Sequence, residues 1–217
     1  MADLPPGPFP VRPGPLEARA DRAFISRDRY LGSRSRAPAA ERADGGRSMG
    51  EVEVRVTRAE LAERGEVLRL LTEAARWARD RGVVGMWEVP YPERWVNPSL
   101  ERGEVFLARV GPEVVGTLTL RWEDPKVWGD QPPDSGYVHR LAVARRWAGR
   151  RVGASLLDWA EGEAARRGRS RLRLDCRTTH AGLRRYYRSL GFAPVGLATV
   201  DGVETLLWER PVPPRAP

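Results

Sequence analysis

The sequence predicts an α/β domain in which a mixed sheet, part of it parallel, is flanked by helices, and three observations predict it. Residues 105–110 and 114–122 read as strands on either side of Gly111-Pro112, which is a turn between the arms of a hairpin. Residues 137–143, 151–167 and 171–176 then read strand, helix, strand, a connection that leaves its two strands parallel. The chain has 217 residues, 41% of them apolar and 30% charged, which suffices for one domain with a real core and is short for two.

Residues 1–49 hold Pro5, Pro6, Pro8, Pro10, Pro13 and Pro15, then scattered arginines. No period survives there, so a disordered basic extension is expected. All of the 37 basic residues except Lys126 are arginine. Arginine codons are GC-rich and stop codons are AT-rich, so in such DNA a frame upstream of the true start stays open. Met49 is therefore the expected start, followed by a domain over 50–210 and a tail over 211–217. Val52, Val54 and Val56 alternate with Glu51, Glu53 and Arg55 as in a strand. Thr57, with Glu60 three positions on, has the form of a capping box. Leu61, Leu68, Leu71, Ala75 and Ala78 then recur at near-helical spacing until Gly82. A loop or short helix rich in Trp and Pro follows, with Trp87, Pro90, Pro92, Trp95 and Pro98. Beyond the hairpin and the strand over 137–143, Gly168 ends the long helix. A helix over 180–189 and a strand over 202–208 close the order, and no internal repeat is found.

Composition narrows the function. No apolar run approaches the roughly 18 residues of a membrane span. The first ten residues lack the basic start and apolar block of a secretory signal. A single cysteine, Cys176, excludes an internal disulfide framework, so a reducing, cytoplasmic setting is expected. The two histidines and the cysteine have no ligand-type spacing, so no metal is expected. The net charge of +8 invites a nucleic-acid reading. Carboxylates interspersed among the arginines, as in Glu60-Leu61-Ala62-Glu63-Arg64, argue instead for a solvated face.

The chemistry concentrates in residues 137–192. A strand ending Leu141-Ala142-Val143 runs into the loop Ala148-Gly149-Arg150-Arg151-Val152-Gly153-Ala154, within which the helix over 151–167 begins. The first N–H groups of a helix have no internal partner and sit at its positive end, so this loop suits a pyrophosphate. Gly153 permits close approach, and Arg150 and Arg151 add charge. An ordinary turn between strand and helix in an arginine-rich chain is the competing reading.

Together with Leu172-Arg173-Leu174-Asp175-Cys176 and the run Tyr187-Arg188-Ser189-Leu190-Gly191-Phe192, these segments resemble the GNAT N-acetyltransferase superfamily over roughly residues 55–210. Its phosphate loop reads Gln/Arg-x-x-Gly-x-Gly/Ala. Gly153 matches the second glycine, whereas Ala148 stands where Gln or Arg is usual and Arg151 where the first glycine is usual. If that position needs a positive φ, arginine strains or reshapes the loop. The resemblance implies a mostly antiparallel sheet, splayed between the fourth and fifth strands to admit acetyl-CoA as co-substrate. It implies main-chain contacts to the pantetheine arm from Leu141 and Val143, and a side-chain contact from His180, where the family has Asn.

The resemblance further implies direct acyl transfer to an amine, with Tyr187 matching the tyrosine that protonates the departing sulfur. Tyr186 and Tyr187 also read as core aromatics on a short helix, Tyr186 being assigned to packing. His139 lies two residues before Leu141 and would share its face with Tyr137, Leu141 and Val143 in a regular strand, which makes it a candidate base. Hydrogen-bonding a loop or only lining the acceptor groove is its alternative role, with Glu88, Glu123 and Asp124 as other bases. Cys176, on an alternating strand without a His/Asn arrangement, reads as packing. By family analogy the acceptor meets Trp87, Glu88, Tyr91 and Trp95 and, on the other side, Asp201. The expected partner is a small-molecule amine, with no membrane; a homodimer stays open. A CoA-binding sensor without turnover is the alternative that Ala148 and Arg151 favour.

Overall fold

A computed structural model describes residues 53–83 and 87–214 of the chain. The extension over 1–49, the start at Met49 and the end of the 211–217 tail lie outside the described residues. Among the described residues seven strands form one sheet in the order β1-β2-β3-β4-β5-β7-β6. They are β1 (Arg55–Arg58), β2 (Val105–Val110), β3 (Glu113–Arg121), β4 (Ser135–Val143), β5 (Arg171–Arg177), β6 (Ala193–Val200) and β7 (Val203–Pro211). Among these seven described strands, β4 and β5 alone pair in parallel. The helices are α1 (Arg64–Arg79), α2 (Asn97–Glu101), α3 (Pro125–Trp128), α4 (Val152–Arg166) and α5 (Ala181–Ser189).

Three clusters of buried residues hold the layers to the sheet. Val152, Leu156, Leu157 and Ala160 of α4 and Tyr187 of α5 pack on Val138, Leu172 and Leu174 of one face. Gly116 of β3 lets α4 approach closely, since a Cβ there would stand 3.1 Å from Leu156 Cδ1 and 3.2 Å from the Ala142 carbonyl oxygen. Val67, Leu70 and Leu71 of α1, with Leu100 of α2, cover Val105, Leu107 and Ala142 on the other face. Trp128 of α3 packs there too, on Tyr137 and Leu207. Fully buried leucines of this kind contribute about 2 kcal/mol each by leaving water.

Three local expectations are corrected. Thr57 belongs to β1; the start of the first helical segment is at Glu60, whose N–H donates to the Glu63 carboxylate at 3.0 Å. Leu61 lies in the short 3-10 turn before α1 and is exposed, so the buried stripe of α1 begins at Val67. The sequence predicts no strand over 193–200, yet β6 forms there. It is a largely exposed edge whose period is broken by Pro194 and a bulge before Gly196, and pairing with β7 holds it. At the far end β7 carries past residue 210, and Val212 is buried, its N–H donating to the Ser170 carbonyl at 2.8 Å.

Candidate active site

The sheet opens where β4 and β5 part. Their pairing covers Ser135↔Arg171 to Val138↔Leu174 and goes no further, although both strands continue. Beyond that point β4 keeps only β3 as a neighbour, so one edge of its main chain faces the gap. Buried main-chain edges need partners, which a ligand can supply. A cleft of about 1120 Å³ passes through the gap, lined by β4 from Val138 onward, by Asp175, Cys176 and Arg177, and by side chains of both faces.

At one end the cleft meets the loop between β4 and α4. Gly149 and Arg151 both turn left-handed there, Arg151 at φ 60° and ψ 5°. The position where arginine replaces the expected glycine therefore does require a positive φ. Arginine adopts it at a cost of roughly 1–2 kcal/mol. The Arg151 carbonyl accepts the N–H of Ser155 at 2.9 Å. The N–H groups of Val152, Gly153 and Ala154, in the first turn of a 15-residue helix, have no intrahelical acceptor. A Cβ on Gly153 would stand 2.6 Å from the Tyr186 hydroxyl oxygen, so only glycine lets that phenol reach over the loop. Ala148, Gly149 and Arg151 line the cleft with Val152, Gly153 and Ala154. Arg150, in contrast, turns away and stacks over Trp147 at 5.0 Å.

The helix α5 supplies the wall opposite this loop. His180 caps it: the Leu183 N–H donates to Nδ1 at 3.2 Å. Burial lowers the His180 pKa, and the neutral ring then carries its proton on Nε2. Tyr187 is only 6% exposed, packed between Phe192 and Trp208, and it lines the cleft. Burial raises its hydroxyl far above the ordinary tyrosine value. Burial likewise pushes the Cys176 thiol up to about 11, and its Sγ accepts the Trp208 indole N–H at 3.3 Å. A thiol held protonated is a poor nucleophile, which fits the packing role.

His139 does not share a face with Leu141 and Val143, as regular alternation predicts. The register of β4 against β3 jumps from His139↔Thr119 to Ala142↔Thr117. Arg140 and Leu141 thus stand opposite Leu118 alone, with Arg140 at φ 52°. This bulge reverses the alternation. Leu141 and Val143 pack with the α4 core, while His139 stays with Tyr137 on the face of α3. There its Nε2 lies 3.3 Å from Asp124 Oδ2 and its Nδ1 3.9 Å from Asp175 Oδ1. Neither Nε2 nor Asp124 Oδ2 makes a well-aligned hydrogen bond. Burial raises the Asp175 carboxyl; His139 and Arg177 pull it back and Asp124 adds to the rise.

The remaining wall is aromatic. Tyr91 meets Trp87 and Trp95 edge-on, with ring centroids 5.4 Å and 5.6 Å away. Its hydroxyl accepts the Arg140 Nε–H at 3.0 Å. Asp201 lines the cleft and pairs with Lys126 at 2.9 Å. Glu88, expected at the acceptor, points away instead, exposed, toward Arg94 at 3.3 Å. Glu123 also lies outside the cleft lining. Sequence reasoning missed Asp175 and Arg140. Asp175 had a signal, a carboxylate near the C-terminal end of a parallel strand, where open α/β sheets hold their ligands. Arg140 had none, because nothing in the residues announces the bulge.

Among the described residues no group of three His, Cys, Asp or Glu side chains is arranged to hold a metal ion, and no helix is long and apolar enough to cross a membrane. The sequence model of the acetyltransferase (GNAT) family matches residues 86–192. An uncharacterized N-acetyltransferase of Bacillus subtilis (strain 168), YesJ, is 35% identical over an alignment 136 residues long that covers 58% of this chain and 74% of that protein. The crystal structure of a GNAT-family acetyltransferase from Listeria monocytogenes 4b F2365 superposes with a TM-score of 0.63 at 24% identity, covering 75% of this chain and 96% of that one. The PaiA N-acetyltransferase of Thermoplasma acidophilum, solved in complex with coenzyme A, follows at a TM-score of 0.58 and 14% identity, covering 73% and 99%.

Proposed function

We propose that this chain, which belongs to the GNAT acetyltransferase family, moves an acetyl group directly from acetyl-CoA to the primary amine of a small molecule. The observation that carries the reading is the parting of β4 and β5 after Val138 and Leu174, next to the left-handed turn that opens α4. The residues present fit the cofactor. Unpaired N–H groups at Val152, Gly153 and Ala154 suit a diphosphate, and Arg151 adds charge beside them. The open edge of β4 at Leu141, Ala142 and Val143 suits an arm that carries amides. His180 Nε2–H is left to donate to the same arm. A neighbour of this fold is solved with coenzyme A.

When bound, acetyl-CoA supplies an acyl group activated enough for an amine to attack without a covalent enzyme intermediate. The bulged main chain of Arg140 and Leu141, not fully matched by β3, offers an N–H where negative charge develops on the carbonyl. His139 accepts the amine proton, with the carboxylates of Asp124 and Asp175 close by to favour the charged ring that results. Tyr187, kept protonated by burial, donates to the departing sulfur. Trp87, Tyr91 and Trp95 form a wall that keeps the amine out of bulk water.

Calorimetry with acetyl-CoA, followed by thiol release across an amine panel, tests the proposal. Binding together with amine-dependent release is the expected result. Binding without release on any amine supports the sensor alternative, and no heat with CoA or acetyl-CoA removes the cofactor site.

A further inference from the structure

We propose that the amine accepted at this site also carries a carboxylate, and that Arg140 holds it. The inference rests on the acetyl-transfer reading above and goes further by naming the chemical class of the acceptor. Its starting point is an unbalanced charge. Three other arginines of the strands with little exposure face carboxylates: Arg109 with Glu63, Arg173 with Glu209, and Arg210 with Asp158 and Glu161. Arg140 does not. Its Nε donates to the Tyr91 hydroxyl at 3.0 Å and its Nη1 to Ser99 Oγ at 3.4 Å, both neutral acceptors. Among the described residues no carboxylate pairs with it.

The same side chain is fixed and faces the cleft. Tyr91 is 5% exposed and braced edge-on by Trp87 and Trp95, so the atom that orients Arg140 is itself held. Arg140 lines the cleft, and a guanidinium with five donors has several left after these two contacts. The cations along the lining include Lys126, Arg140, Arg145, Arg151 and Arg177; its carboxylates are Asp175 and Asp201, and Lys126 already takes Asp201. A purely cationic acceptor would bring a further charge beside the unpaired Arg140. An amine with a carboxylate close by would instead set its ammonium toward His139 and Asp175, and its carboxylate on the guanidinium of the next residue along the chain. A fixed guanidinium recognises a planar carboxylate through paired, charge-assisted hydrogen bonds.

The test uses the full chain, acetyl-CoA, and a panel of α-, β- and γ-amino acids, each compared with its own carboxamide. Amides have the less basic and more readily deprotonated amine, so a preference for the acid runs against intrinsic reactivity. We expect the wild type to favour acids in kcat/KM by at least about 30-fold, the scale of a lost charged hydrogen bond. Arg140→Gln should bring that ratio within about 3-fold of unity, and Tyr91→Phe should lower it part of the way. Equal use of acids and amides by the wild type, or an unchanged ratio in Arg140→Gln, overturns the proposal. Calorimetry of the same pairs on CoA-saturated protein separates the two readings. An acid that binds the wild type and not Arg140→Gln supports the anchor even where no thiol is released, and that silence then counts against acetyl transfer alone. Binding of no acid at all overturns the anchor. Should Arg140→Gln fail to fold, the wild-type ratio and Tyr91→Phe still decide.

Discussion

The two faces of the sheet are assembled by different rules. On the side of α4 and α5, what would meet the cofactor is mostly main chain at the ends of regular elements: the first turn of α4, the open edge of β4 and the capped start of α5. On the other side the site is built from single side chains that arrive from separate places. Tyr91 comes from the connection between α1 and α2, Asp124 from the residue before α3, His139 and Arg140 from a bulge, and Asp175 from β5. Main-chain donors survive any substitution that leaves the backbone in place. The cofactor half should therefore respond to intrusion, and the acceptor half to deletion.

The largest expected effect is an intrusion. Gly153→Asp puts a carboxylate among the N–H groups of α4 and a Cβ against the Tyr186 hydroxyl. CoA affinity measured by calorimetry should fall by about 10³-fold or more, from charge repulsion and lost donors together. Arg150→Ala, which deletes a side chain stacked outside the cleft, should change it by less than about 3-fold. If the two cost alike, side chains rather than main chain hold the cofactor, and the contrast between the faces fails.

Deletions on the chemistry come next. His139→Gln and Tyr187→Phe should each lower kcat by about 10²-fold with acetyl-CoA affinity nearly unchanged. Asp124→Asn, which acts through His139, should cost about 10-fold, and Glu88→Gln should change little, since Glu88 lies outside the cleft. Normal turnover in Tyr187→Phe would return that residue to the role of a core aromatic.

The same division decided what could be read from the sequence. The strand–loop–helix unit around Gly153, the closing Gly191-Phe192 and the parallel pair follow from apolar period and glycine position, which are local and survive in the residues. Arg151 was legible as a departure, and the structure supplies its meaning: the left-handed φ is kept, so the loop is strained rather than reshaped. His139 was found and stays with Tyr137, but Leu141 and Val143, expected on its face, lie on the other. A single inserted position in β4 reverses the alternation, and that insertion depends on packing against β3, which no residue of β4 encodes alone. Arg140 was invisible for the same reason. The edge strand β6 was missed because pairing with β7, not its own pattern, makes it a strand.

A smaller effect probes the capped start of α5. His180 Nδ1 can accept the Leu183 N–H only when it is unprotonated, and burial lowers its pKa in the folded chain. Stability from this group is fully present above the unfolded value of about 6.5 and is lost progressively below it, as pH falls through the lowered folded value. Melting temperatures between pH 7.5 and 5.5 should therefore drop more for the wild type than for His180→Asn, which keeps a capping acceptor and has no proton to bind. Parallel curves would mean that the imidazole does not cap.

The smallest effect sets the two demands on one residue against each other. Arg151 holds φ at 60°, a conformation that glycine adopts freely. Arg151→Gly should remove that strain and, after the greater freedom of glycine in the unfolded chain is subtracted, raise the stability of the ligand-free protein by up to about 1 kcal/mol in urea titration. It also removes a cation that lines the cleft beside Gly153, so CoA affinity should fall by about 5-fold, less steeply at high salt. Opposite signs in the two measurements are what a strained but useful arginine requires. A variant that gains both stability and affinity would show that the side chain contributes nothing to binding, and that main-chain donors alone hold the phosphates.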